Sequence, residues 1–344
     1  MATTVTIRDV AKHAGVGVGT VSRVLNDSEA VRESTRLKVL DAIADLNYSP
    51  SPVARRLSSG KAMAIGIIVP FFTNASVVKR LQGIVSVLGD SDYDLVLFDV
   101  ESSENREVLL TNILQRQMVD ALLILSLRPT DTDMAQFLEA TIPAVLVDAD
   151  HPALTRIVVD NVAGARKAMQ HLLDLGHRRI AYLSDLPDNA FNRSPVIDRA
   201  LGYRQALADS GITERPDYYV ESALSKEAAR KAAQQLLTLP ERPTAVFAYS
   251  DTQAFGVLEA ARDLGLQVPD DLSVVGYDDI EAAEYAQLTT IRQSLFESGV
   301  LGVELLLQRM ADPDAPVQEI PLQTELVVRG TTAAPTAVVV SPAR

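Results

Sequence analysis

Three glycines at alternate positions, Gly15, Gly17 and Gly19, open the stretch "GVGVGTVSRVLN" (15–26). Two chemistries use glycines this way: a loop that cradles a phosphate, or a tight turn between helices. A dinucleotide fingerprint needs G-x-G-x-x-G directly after a strand, yet position 20 is Thr and the preceding segment has a helical period. "SSGK" (58–61) fails as a phosphate loop too, because Arg55 stands where its first glycine is required. Upstream, Ile7, Val10, Ala11 and Ala14 recur at i, i+3, i+4 and i+7, one face of a helix. Thr6 suits its N-cap with Asp9 at N3, and Gly15 suits the position that ends it. Val18, Val21, Val24 and Leu25 repeat the spacing in a second short helix. A third is expected from about Ser34 to Asn47, with Val39, Leu40, Ile43 and Leu46 facing inward.

Helix, glycine turn and short helix make a helix-turn-helix. Its second helix enters the major groove of DNA with its N-terminal residues at the base edges, here Val18, Gly19, Ser22 and Arg23. Arg23 can donate two hydrogen bonds to guanine O6 and N7, whereas Val18 offers only apolar contact. Thr20, Ser22 and Asn26 suit bonds that fix register, and Thr6 is counted with this DNA-contacting set.

Other chemistries find little support. The chain has no cysteine, which excludes disulfides and thiolate nucleophiles. Its four histidines (13, 151, 171, 177) show no metal-ligand spacing, and no G-x-S-x-G elbow is present. No cofactor or metal is expected, and His177 reads as shaping a helix-to-strand turn.

The elements around these residues read as two kinds of domain. Beyond residue 62, apolar runs recur at 64–69, 95–99, 121–125, 144–148, 157–159, 179–183, 245–249 and 273–277. Helical-period segments such as 76–89 and 162–174 alternate with them, which implies parallel sheets covered by helices. The runs are too many for one small sheet and divide into two lobes. A site should then lie between the lobes, at the carboxyl ends of the strands, where Asp148 and Asp278 fall. Charge follows the same division. Residues 1–61 carry nine Lys/Arg against six Asp/Glu within a chain of net charge −13, as when one module alone touches phosphates. The N-terminus lacks the apolar core of a signal peptide, and "AMAIGIIVPFF" (62–72) is too short to span a bilayer, so a cytoplasmic protein without membrane partners is expected.

"TIRDVAKHAGVGVGTVSRVLN", "VRESTRLKVLDAIADLNYSPSPVARRL", "LGHRRIAYL", "GYRQAL", "VVGYDD" and "LTTIRQ" together resemble the lac-repressor family of bacterial transcription regulators over almost the whole chain. The resemblance implies an N-terminal all-α helix-turn-helix domain (1–48), a hinge helix or linker (49–61) and an α/β two-lobed periplasmic-binding-protein-like core (62–330). The core's first lobe would take about 62–161 and 291–324, its second 162–290 and 325–330. The tail 331–344 is expected to fray. In the hinge, Leu57 would wedge into the minor groove with Ala54 packed beside it and Arg55 reaching phosphates. In the core, Asp278 and Arg199 would grip an effector, with Ser250, Asp160, Asp148 and Phe72 as further candidates. A carboxylate and a guanidinium on neighbouring hydroxyls is sugar-binding chemistry, and an aromatic gives the ring a face.

The chain departs from the family pattern at Gly17, at Gly19 and at Arg32, which stands where Ser commonly caps the third helix, so that either Ser34 caps or the helix end is looser. The expected function is a repressor of sugar-utilisation genes, a homodimer on palindromic operator DNA controlled by a small molecule. A transport solute-binding protein would have no use for residues 6–57, and an α/β kinase or dehydrogenase would need a phosphate loop.

Overall fold

The computed structural model describes residues 5–25, 28, 30–48, 62–89, 91–100, 103–186 and 193–336. The chain divides into two units, 1–63 and 64–344. In the first, α1 (Ile7–Ala14), α2 (Val18–Leu25) and α3 (Glu33–Asp45) surround a small core of Val10, Ala11, Val21, Val24, Val39, Ala42 and Tyr48. Thr6 caps α1 by donating its backbone N–H and its hydroxyl to Asp9 (2.9 and 2.7 Å), which holds that carboxyl below its usual range. Gly15 then adopts φ +67°, and the carbonyl of Gly17 accepts from the N–H groups of Thr20 and Val21 in the first turn of α2. Two details differ from the sequence reading. Leu40 points to solvent at 47 % exposure, and Ala42 fills the core instead: Val39, Ala42, Ile43 and Leu46 follow the i, i+3, i+4, i+7 stripe, and Leu40 lies one step off it. Arg32 occupies the N-cap of α3 without a side-chain bond, and Ser34 lies inside the helix, so this end has the looser of the two arrangements.

The second unit holds two six-stranded sheets. The first runs β11-β5-β4-β3-β1-β2, all parallel: β1 (Ala64–Val69), β2 (Asp94–Asp99), β3 (Ala121–Leu125), β4 (Ala144–Val147), β5 (Thr155–Val159) and β11 (Glu319–Leu322). Its helices are α4 (Ala75–Leu88), α5 (Ser103–Gln115), α6 (Asp131–Ala140) and α12 (Leu295–Ala311). The second runs β12-β10-β9-β8-β6-β7, parallel except for β12: β6 (Ile180–Ser184), β7 (Tyr219–Glu221), β8 (Ala245–Ala248), β9 (Ser273–Asp278), β10 (Thr289–Arg292) and β12 (Glu325–Val327). With it go α7 (Asn161–Asp174), α8 (Arg193–Asp209), α9 (Lys226–Leu237), α10 (Asp251–Asp263) and the short α11 (Glu281–Tyr285). Central strands such as β1, β3 and β4 are buried along their whole length, which is why they read as unbroken apolar runs. The chain passes between sheets after β5, after β10 and after β11.

The expectation that the chain frays from 331 does not hold for 331–336. Thr331 donates its hydroxyl to the Val274 carbonyl (2.7 Å), accepts from the Thr289 N–H (2.9 Å), and its own carbonyl accepts from Val274. Ala333 bonds to the Ser273 hydroxyl, and His177, buried beside it, contacts Thr244, Ser273 and the Ala333 carbonyl. These residues are pinned by hydroxyls and main chain, not by an alternating apolar pattern. No helix among the described residues is long and apolar enough to cross a membrane.

Helices α4 and α12 approach closely through Gly83 and Gly299. A Cβ built on Gly83 would sit 2.1 Å from the Phe296 carbonyl oxygen, and one on Gly299 2.1 Å from that of Arg80. Backbone cannot yield as a side-chain tip does, so Gly299→Val must push the helices apart. A cost of about 1–3 kcal/mol or more follows from such overpacking. Calorimetric melting is expected to show a lowered midpoint for this core, and an unchanged midpoint would mean that the helices accommodate the side chain without moving apart.

Candidate functional site

The two sheets turn their carboxyl ends toward one cleft. Ser126 follows β3, Asp148 follows β4, Asp185 follows β6, Ser250 follows β8 and Asp278 ends β9, and all five line it. Several pay a backbone cost to aim there: φ is +48° at Ser126, +56° at Asp148 and +118° at Asp278. Positive φ in a non-glycine residue persists only where its surroundings impose it, and such residues gather at ligand sites.

Arg199, on α8, is only 3 % exposed. Its Nε donates to Asn161 Oδ1 (2.9 Å) and Nη1 to the Tyr249 carbonyl (2.6 Å), while the guanidinium lies over the rings of Tyr277 and Tyr249 at 3.6 and 4.4 Å. Nη1 also stands 3.9 Å from Asp278 Oδ1. Burial works against the charge on Arg199, but the tyrosines and Asp278 outweigh it and hold the group protonated. Asp278 accepts from Gln293 Nε2 at 2.6 Å. Burial pushes its carboxyl up to about 6, against the opposing pull of Arg199, Gln293 and Arg80. Behind it, Asp251 is fully buried and pushed well above the carboxylate range, first by burial and then by Asp278, while accepting from the Thr290 hydroxyl and the Ile280 N–H.

From the first sheet's side, Arg80 of α4 reaches Asp148 Oδ2 at 2.9 Å, and Ser126 donates to the same oxygen at 2.9 Å. Asp148, Asp278, Arg199 and Ser250 are thus brought together as expected residues of one cleft. The hydroxyl of Ser250 accepts from the Gln253 N–H and starts α10. Two expected residues are placed elsewhere. Asp160 is exposed and caps α7 through the Ala163 N–H (2.8 Å). Phe72 does not line the cleft; Phe71, one residue earlier at φ +52°, does. Arg80, Ser126, Gln293 and Tyr249 are lining residues that the sequence reading did not pick out. No cluster of three or more metal-ligating side chains occurs among the described residues.

In the helical unit, α2 buries Val21 and Val24 and leaves Val18, Gly19 and Arg23 exposed, with Thr20 and Ser22 half-buried. One edge therefore holds the core while the other offers an arginine and hydroxyls outward. Asn26, Ala54, Arg55 and Leu57 lie outside the described residues.

Residues 6–51 match the model of the bacterial regulatory proteins of the lacI family, and residues 169–332 match that of the periplasmic binding protein-like domain. The HTH-type transcriptional repressor PurR of Vibrio campbellii (strain ATCC BAA-1116) is 34 % identical over 332 residues, 95 % of this chain and 98 % of that one. This chain belongs to the lacI family. Among solved structures, a lac repressor dimer bound to operator and the anti-inducer ONPF superposes with a TM-score of 0.84 at 32 % identity, covering 96 % of this chain and 100 % of that one. A complex of the transcriptional regulator CelR with cellobiose gives 0.70 at 30 % identity over 95 % and 99 %.

This lacI-family protein is a DNA-binding transcription regulator with a helix-turn-helix and a ligand-binding core. Its cleft makes stability depend on pH through Asp278. Folding raises that carboxyl from an ordinary 3.8 to about 6, so the native state holds a proton the unfolded chain has released. The contribution favours folding at low pH and is lost as pH rises through 6. Asp278→Asn removes that loss, and its melting midpoint relative to the parent is expected to rise between pH 5 and 7.5. A constant difference across that range would mean that Asp278 does not titrate there.

Proposed function

We propose that this regulator is a repressor of sugar-utilisation genes that reads a palindromic operator as a homodimer and changes its operator affinity when a sugar occupies the cleft. A single helix-turn-helix spans only half a site, and two-fold pairing sets two such helices one turn of DNA apart. The observation that carries the effector reading is the buried Arg199–Asp278 pair beside Phe71. A locked guanidinium donates to one hydroxyl, the neighbouring carboxylate accepts from the next, and the phenyl ring covers an apolar sugar face. The lac repressor dimer with operator and ONPF, and CelR with cellobiose, offer parallels in relatives of the same fold.

The test is a gel shift at fixed salt on the chain's own promoter DNA, with and without each member of a sugar panel. One sugar is expected to change operator affinity, and Arg199→Ala is expected to abolish that response while operator affinity without sugar stays within twofold. A response surviving in Arg199→Ala would move the effector elsewhere. In the other unit, Arg23→Ala is expected to cost specific binding about 1–3 kcal/mol, the worth of one bidentate guanine contact. Binding to random DNA should fall much less, and equal losses on both would reduce Arg23 to a phosphate contact.

A further inference from the structure

Helix α4 turns Val77, Ile84 and Leu88 into the core of the first sheet, yet it also buries Arg80, to 2 % exposure. A guanidinium taken out of water is costly unless a charge and hydrogen bonds meet it. Here Asp148 meets it at 2.9 Å, held in a left-handed conformation and bonded by Ser126. Across the same cleft stands the pair Arg199–Asp278, equally buried. The two pairs also feel each other, since Arg80 lowers and Asp148 raises the carboxyl of Asp278.

Resting on the sugar reading above, we infer that the effector is an uncharged polyol, and that Arg80–Asp148 is the second half of a two-sided hydroxyl clamp that rejects phosphate esters of the same sugar. Each pair sets a charged acceptor beside a charged donor. That is the complement of a vicinal diol, in which one hydroxyl donates while its neighbour accepts. A ring carrying diols on opposite edges satisfies both lobes at once, and Phe71 lies against the same space.

The charge inventory decides against an anion. The described residues lining the cleft include two guanidiniums, Arg80 and Arg199, against three carboxylates, Asp148, Asp185 and Asp278, with no lysine or histidine. Arg80 is engaged by Asp148, and Arg199 is fixed by Asn161, the Tyr249 carbonyl, two aromatic faces and Asp278. A phosphate monoester adds a charge of about −1.5 to −2 at pH 7. It would find each cation already facing a carboxylate and a third carboxylate at close range, an arrangement that leaves no spare positive charge for an anion, while unused donors such as Arg80 Nε can still serve a neutral hydroxyl.

Titration calorimetry of the full chain at pH 7.5 and fixed salt tests this with D-glucose, D-ribose, cellobiose, glucose 6-phosphate and ribose 5-phosphate. A neutral sugar is expected to bind, and the phosphate ester in its series to bind roughly 100-fold more weakly or not at all, since like charges brought together in a binding site oppose association. An ester that binds as tightly as its parent, or more tightly, overturns this inference and leaves the sugar reading standing. If no member of the panel binds, the sugar reading falls and takes this inference with it. Arg80→Met, checked for unchanged operator binding, is expected to lose about tenfold or more in affinity for the neutral sugar, as for one charged hydrogen bond. Arg80→Lys, which keeps the charge, should retain the discrimination against the ester. If Arg80→Met holds operator normally and binds sugar as the parent does, the clamp has only one side and the inference is wrong. Should Arg80→Met fail to fold, Arg80→Lys decides through its affinity for the neutral sugar: an ammonium lacks the planar fork of donors, so that affinity falls several-fold if Arg80 holds a hydroxyl and stays at the parent's value if the ion pair is purely structural, which overturns the inference.

Discussion

A buried charge must be answered by another charge or by dipoles, and most of the core's architecture serves that requirement at one place. Arg80, Asp148, Arg199 and Asp278 are all nearly inaccessible, and no single element supplies both members of a pair. Arg80 ties α4 to the end of β4, and Arg199 ties α8 to the end of β9. The remaining hydrogen bonds reach the connections between sheets. Asn161, just after the first connection, holds Arg199, and Gln293, at the second, holds Asp278. The third is drawn in through Arg292, which bonds both Asp279 and Glu325. Any ligand that reorders bonds at Arg199 or Asp278 therefore touches residues at the connections between the sheets directly.

Much of this was legible in the sequence, for reasons that also mark where legibility ends. Central strands announce themselves because both faces are covered, and residues at their carboxyl ends or one step past, such as Asp278 and Asp148, inherit a predictable place. Applied evenly, that rule would also have picked out Ser126 and Asp185, which follow β3 and β6 in the same way. Arg80 obeys no such rule. On a helix otherwise apolar on its inward side, an arginine reads as surface until the partner at Asp148 is seen. Phe71 and Phe72 differ by one position, and a left-handed turn at Phe71 decides which ring faces the cleft. The strands left unassigned, β7, β10, β11 and β12, are short, and β11 carries Pro321 at the sheet edge, so neither length nor alternation distinguishes them from loop.

The helical unit was more transparent because its signals are local. A capping box, a left-handed glycine and a helical apolar period each act within a few residues, and Thr6, Gly15 and Val21 are found where those signals put them. Leu40 is the exception that locality explains. Val39, Ile43 and Leu46 fit a stripe completed by either Leu40 or Ala42, and size alone favours the leucine, whereas Ala42 is the residue buried.

The threading of the chain through the two sheets bears on the order in which the protein can assemble during synthesis. The first sheet lacks an edge strand and a covering helix until α12 and β11, residues 295–322, have emerged. The second must wait longer still, for β12 and for Thr331 and Ala333, which complete the bonding of β9 and of buried His177. The first lobe thus becomes whole only after residue 322, and the second only after residue 333. The helix-turn-helix, with short-range contacts and its own core, has all it needs more than 250 residues earlier. Of the two units, the one that reads DNA is complete in sequence long before the one that would regulate it.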